Sequence, residues 1–189
     1  MIDAGYFLKR IEPKPDWLQV DGVVEICSVS HCVSPAPEGW VTHWHHNGLG
    51  WFNRVSDVKR VVPTDSDVLY RLFAYRLYPE MFRDLRRVRI TVPDDVHPDP
   101  IPSQFETLGF DAVSKSLESI LGFECSPLSC NAMALECEVN TYCLCPSLEK
   151  AIAAATRFAV EQPEPGDYYV VEVLEDRATS PSLSTASDS

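Results

Sequence analysis

The pattern Cys27-Ser28-x-x-x-Cys32 recurs half a chain later as Cys125-Ser126-x-x-x-Cys130. Beyond each copy lies an asparagine, Asn47 or Asn140, and then a short aromatic or apolar stretch, GLGWF in one case and TYCLC in the other. Each stretch runs into a segment that a serine can cap as a helix, Ser56 onward and Ser147 onward. A serine hydroxyl suits that position because it accepts a bond from the open N–H groups of a first helical turn. Each helix is followed by a tyrosine-bearing run of strand composition, FAYRLY and YYVVEVL. This order predicts two pseudo-repeated halves, 1–92 and 104–176, each a loop–strand–helix–strand unit. Residues 93–103, PDDVHPDPIPS, join them as a linker, because prolines continue neither a helix nor a central strand. The competing reading is that strand–helix–strand order recurs in any α+β protein and the match is local.

The remaining periodicities fit the same class. Segments 5–12 and 22–30 read as strands, and 67–78 as the longest strand, with Arg71 and Arg76 marking a wet face. RRVRITV alternates like an edge strand, and 109–114 reads as a short strand. The principal helix is predicted over 147–162. Ser147 caps it, Leu148, Ile152, Ala155 and Ala159 share one face, and Pro163, Pro165 and Gly166 end it. A shorter helix is predicted over 56–62, closed by Pro63. The expected fold is α+β, a mixed or antiparallel sheet with two main helices, in one compact domain over 1–176. Residues 177–189 are rich in Ser and Thr, lack aromatic residues and are predicted to be a disordered tail.

Charge is unevenly spread. Residues 1–90 hold twelve Lys/Arg against eleven Asp/Glu, whereas 91–189 hold four against seventeen. The acidic second half should repel nucleic acid and anionic membrane surfaces. No apolar run approaches the ~20 residues that span a bilayer, and the N-terminal MIDAGYFLKRIEPKP has no signal-peptide pattern. The expected location is therefore the cytoplasm, where the seven cysteines stay as thiols.

Histidine and cysteine concentrate in two places. Cys27, His31, Cys32, His43, His45 and His46 lie in the first half, and Cys125, Cys130, Cys137, Cys143 and Cys145 in the second. Zinc prefers thiolate and imidazole ligands, and Cys-x₄-Cys falls within the looser spacings observed. Cys27, Cys32, Cys125 and Cys130 are therefore the metal-ligand candidates. Buried packing as small hydrophobes is the default for cysteine, so no cofactor is expected. Cys32 as a nucleophile would need a base from His43, His45 or His46.

The segment WVTHWHHNGLGWF holds three of the four tryptophans, Trp40, Trp44 and Trp51. Indoles and imidazoles side by side suit stacking against a planar ligand or a partner side chain. Trp44, His45, His46, Asn47 and Trp51 are thus the candidate binding residues, for a protein partner or a small planar ligand. The alternative is an aromatic loop that closes the core.

Finally, Arg76, Ser114-x-Ser116 and Glu172 with Glu175 follow one another along the chain. That order resembles the arginine, serine-x-serine and glutamate order of one class of ADP-ribosyltransferases. The family's last motif is Glu/Gln-x-Glu, and here it is Glu-Val-Leu-Glu. The resemblance implies Arg76, Ser114 and Glu172 as catalytic candidates. No phosphate-cradling glycine loop, HExxH or GxSxG occurs. The leading expectation is a binding or interaction protein. The alternative is an enzyme with its site between the halves, transferase-like or dependent on thiols or zinc.

Overall fold

A computed structural model of the protein describes residues 1–10, 12–33, 46–60, 70–115, 123, 125–131 and 133–178. The elements in chain order are β1 (Ile2–Arg10), β2 (Glu12–Pro13), β3 (Glu25–Ile26), α1 (Val55–Val58), β4 (Tyr70–Arg83), β5 (Arg86–Arg89), β6 (Phe105–Lys115), α2 (Pro127–Cys130), α3 (Leu148–Glu161) and β7 (Asp167–Asp176). The main sheet runs β1-β4-β7-β6, with β5 paired to the far end of β4. Every pairing is antiparallel. The fold is α+β with an antiparallel sheet and one main helix.

β7 is central and buried on both faces except at Tyr169, which explains its near-continuous apolar sequence DYYVVEVLED. β4 pairs with it in register from Phe73↔Glu175 to Leu77↔Val171, and the register then shifts before Met81↔Tyr169. Pro79 sits in that gap, and a proline has no N–H to give the ladder. Beyond it β4 turns out to pair with β5.

Ser147 caps α3 as expected, accepting the Lys150 N–H at 3.3 Å. The helix closes on Gln162, which is left-handed and donates its N–H to Phe158 O at 2.7 Å. Ala151, Ala154, Ala155, Phe158 and Ala159 pack on the face of the sheet that carries Ala112, Tyr168 and Val170. The second helix is shorter than predicted. α1 is a single turn, Arg54 rather than Ser56 precedes it, and no side chain caps it. Residues 61–69, including the rest of the expected helix, lie outside the described residues.

The predicted strand over 22–30 is also reduced, to Glu25–Ile26. Its neighbours bond elsewhere: Val24 N and Cys27 N donate to Thr141 O and Tyr142 O at 2.9 and 3.1 Å. Arg71 does not mark a wet face, because it is held between Glu25 and the fully buried Glu175.

The two asparagines make the same bonds. The Asn47 side chain donates to Ala4 O at 3.0 Å and accepts from Leu49 N and Trp51 N at 3.0 and 3.3 Å. The Asn140 side chain donates to Leu108 O at 2.6 Å and accepts from Tyr142 N and Leu144 N at 3.0 and 3.2 Å. Phe52 then exchanges two backbone bonds with Tyr6, and Cys145 two with Phe110. Gly5 and Gly109 lie beneath, both at bulges and both at positive φ, +146° and +154°. A Cβ on either would come within 2.8 Å of the Cβ of Trp51 or Leu144. The helices that follow differ, four residues against fourteen.

Residues 93–103 contain no helix or strand. They are laced to the first half: Asn53 donates to Asp95 O at 2.8 Å and accepts from His97 N at 3.1 Å, and Tyr6 Oη donates to Asp99 O at 3.0 Å. Of the tail, Arg177 pairs with Glu106 at 2.9 Å, and 179–189 lie outside the described residues. No helix among the described residues is long and apolar enough to cross a membrane.

Candidate functional site

Trp40, His43, Trp44 and His45 lie outside the described residues. His46 is half-buried with its ring edge against Phe52 at 6.4 Å. Trp51 is 2 % exposed, stacked on Phe123 at 5.0 Å and tilted against Tyr75 at 4.8 Å. Burying such a ring is worth about 3 kcal/mol, so Trp51 serves the core and offers no ligand surface. Asn47 is likewise committed, as the hub of its turn. These burials place Trp51 and Asn47 in the core rather than at an exposed surface, and the described part of the segment forms a clasp.

The clasp nevertheless borders a cavity. Gly48 and Leu49 form one wall of a groove of about 340 Å³ whose other walls include Met81, Val88, Ile90, Pro93 and Tyr169. Its lining also includes Arg89 and Lys115. Lys115 reaches over the Phe123 ring at 5.6 Å, and Arg89 is exposed at the end of β5. A second cleft of about 460 Å³ lies between Arg83 and Gly166. It is larger, but its lining is chiefly polar and charged, with Arg83 paired to Asp167 and Gln162 bonded to Asp84 at 3.1 Å. Ligand sites are mostly apolar with a few convergent polar groups, which favours the first groove.

The two cysteine loops meet at a buried carboxylate. Asp111, on β6 and fully buried, accepts Ser28 Oγ and Val29 N at 2.8 Å on one oxygen and Ser126 Oγ at 2.6 Å on the other. The serines that follow Cys27 and Cys125 in the repeated pattern thus converge on one residue. Lys9, on β1 and 1 % exposed, donates to Ser28 O, Val29 O and Ser30 O, the first two at 2.7 and 2.8 Å. Burial pulls the Lys9 ammonium down to about 7, with the charge of Asp111 pulling back up. Burial pushes Asp111 upward, and its bonds from Ser126, Val29 and Ser28 work against that.

On this base sit three thiols. The Sγ atoms of Cys32, Cys125 and Cys130 all lie within 4.8 Å of one another, Cys32 and Cys125 at 3.0 Å. The fourth metal candidate, Cys27, is not among them. It is buried in the core with its thiol 3.8 Å from Glu25 Oε1. Cys143 and Cys145 are core residues beneath α3. All seven cysteines are free thiols.

No protein-family model, curated protein or solved structure matches this chain. Its function has to be argued from its own residues.

The transferase-like trio does not assemble. Arg76 and Glu172 face each other across β4 and β7 and pair at 3.4 Å. Arg76 also pairs with Asp3 at 2.9 Å, and Glu172 accepts Thr107 Oγ1 at 2.7 Å. Ser114 lies opposite Tyr168 while Phe110 lies opposite Glu172. Four strand residues separate the two positions, roughly 13 Å at the rise of an antiparallel strand. Ser114 is fully buried, and its Oγ has no hydrogen-bond partner among the described residues. Ser116 lies outside the described residues.

Lys9 and Asp111 were not among the residues the sequence singled out. A signal existed for Asp111, the lone charge inside the apolar run GFDAVS, whereas Lys9 is followed by Arg10 and Glu12 in GYFLKRIE and does not stand out. Buried charges of that kind need partners.

Proposed function

We propose that the protein is a non-catalytic binding protein. Its ligand is a small amphipathic anion with a flat apolar body, seated in the groove between the Gly48–Leu49 turn and the β4–β5 hairpin. One observation carries this reading. In a chain of net charge −12, the described lining of the groove holds two cations, Arg89 and Lys115, and no carboxylate. The walls supply the apolar area, and the volume is in the range of small-molecule sites, about 300–1,000 Å³. The acidic second half argues against nucleic acid and anionic membranes as partners. Seven free thiols suit a reducing cytoplasm.

The test is a titration with 1-anilinonaphthalene-8-sulfonate, a planar apolar body carrying one sulfonate. Saturable one-site binding is expected. Arg89→Glu, on an exposed side chain, should weaken it about tenfold or more, because a charge-assisted bond contributes about 1.5–3 kcal/mol. Leu85→Ser, in the neighbouring turn and outside the groove, should leave it unchanged and so controls for general surface adsorption. Affinity unaffected by Arg89→Glu, or the absence of saturable binding, rejects the reading.

A further inference from the structure

The thiol cluster stands apart from the groove. Cys32 comes from the first cysteine loop and Cys125 and Cys130 from the second, so one site draws on both halves. Each contributing loop is anchored independently of the thiols. Asp111 ties Ser28, Val29 and Ser126 together, and Lys9 fixes three successive carbonyls two residues before Cys32. Cys125 O accepts Ser114 N at 2.7 Å, which pins the second loop to β6. Between Cys125 and Cys130 lies the single turn α2, closed by Cys130 N donating to Ser126 O at 2.8 Å. That turn folds the Cys-x₄-Cys spacing back so that both thiols face the same point. Ser30 Oγ lies 3.6 Å from Cys130 Sγ and accepts Cys32 N at 3.1 Å, so it links two of the three cysteines.

We infer that Cys32, Cys125 and Cys130 form a three-thiolate site for a thiophilic d¹⁰ cation, zinc(II). Tetrahedral zinc with bonds of about 2.3 Å places its sulfurs about 3.8 Å apart. The present spacing of up to 4.8 Å brackets that value. The Cys32–Cys125 pair, at 3.0 Å, opens by moving Cys32, the exposed member. Among the described residues these three thiols are the ligand set, and Cys32 is its exposed member. Thiolates rather than carboxylates select zinc over magnesium or calcium. Each thiol that binds releases its proton to solvent, so loading is favoured as pH rises.

The experiment uses the full chain, reduced and stripped of metal by dialysis against a chelator. Cobalt(II) is titrated in as the optical probe, followed by zinc(II). One equivalent of cobalt should give a thiolate-to-metal charge-transfer band that one equivalent of zinc abolishes. Cys32→Ser changes an exposed side chain and should retain the native circular dichroism. It should weaken cobalt binding about a hundredfold or more, beyond what loss of even an outer-sphere partner costs. Cys130→Ser should do the same, and Cys137→Ser, outside the cluster, should bind as the parent does. The inference is overturned by the absence of the band in the parent, or by a band that persists in Cys32→Ser. It is equally overturned if Cys137→Ser abolishes the band. Recovery of a Cys32–Cys125 disulfide instead of bound metal, after anaerobic purification with reductant, also rejects it.

Discussion

Replacing Lys9 by methionine keeps the length of the side chain and removes its ammonium. In the native protein that ammonium is buried and donates to the carbonyls of Ser28, Val29 and Ser30. The variant leaves three buried carbonyls without their donor and leaves the buried Asp111 without its countercharge. A buried acceptor stripped of its partner costs about 1–3 kcal/mol, and removing one member of a buried charged pair about 3–5 kcal/mol. These overlap, and Asp111 keeps three donors of its own, so a loss of about 3 kcal/mol is expected. That is a large share of a typical stability of about 5–15 kcal/mol. For a chain of this length it lowers the melting temperature by roughly 6–12 °C. Urea unfolding followed by circular dichroism measures it, with an unchanged m-value showing that the unfolded surface is the same. A loss below about 1 kcal/mol would refute the claim that Lys9 fastens the first cysteine loop.

Gly5→Ala and Gly109→Ala should each destabilise by about 2–4 kcal/mol, from positive-φ strain plus overpacking against Trp51 or Leu144; thermal unfolding that leaves either variant at parental stability contradicts the tight packing of the asparagine turns. Thiol reactivity should be graded: the exposed Cys32 is alkylated first, while Cys27, Cys143 and Cys145, buried and with thiols pushed up by burial, wait for unfolding. Peptide mapping after timed alkylation checks the order, and early labelling of Cys143 would contradict it.

The elements legible in the sequence were those whose signals are local. α3 announced itself by the Ser147 cap, the alanine face and Pro163. β7 did so by a run of β-branched and aromatic residues. The asparagines Asn47 and Asn140 were visible as a matched pair because each organises its own turn. Where partners lie far away along the chain, the signal failed. The apolar stretch 22–30 has strand composition, but its amides are taken by Thr141 and Tyr142, so only Glu25 and Ile26 pair as strand. Arg71 suggested a wet face until its partners, Glu25 and Glu175, came from two other segments. The cysteine pattern pointed to two loops whose thiols Cys32, Cys125 and Cys130 meet, and Cys27 is not among them. Cys27 precedes the serine that bonds Asp111, yet its own thiol turns into the core. The groove was invisible in the sequence because its cations, Arg89 and Lys115, come from separate strands.

The proposed function is tested most directly by nuclear magnetic resonance of the isotope-labelled full chain, titrated with the same anilinonaphthalene sulfonate. Shift changes should concentrate on Leu49, Met81, Val88, Arg89 and Tyr169, saturate at one equivalent, and shrink in Arg89→Glu. Changes gathered instead around Arg83 and Gly166, or scattered without saturation, would contradict a binding site in the groove beside the asparagine clasp.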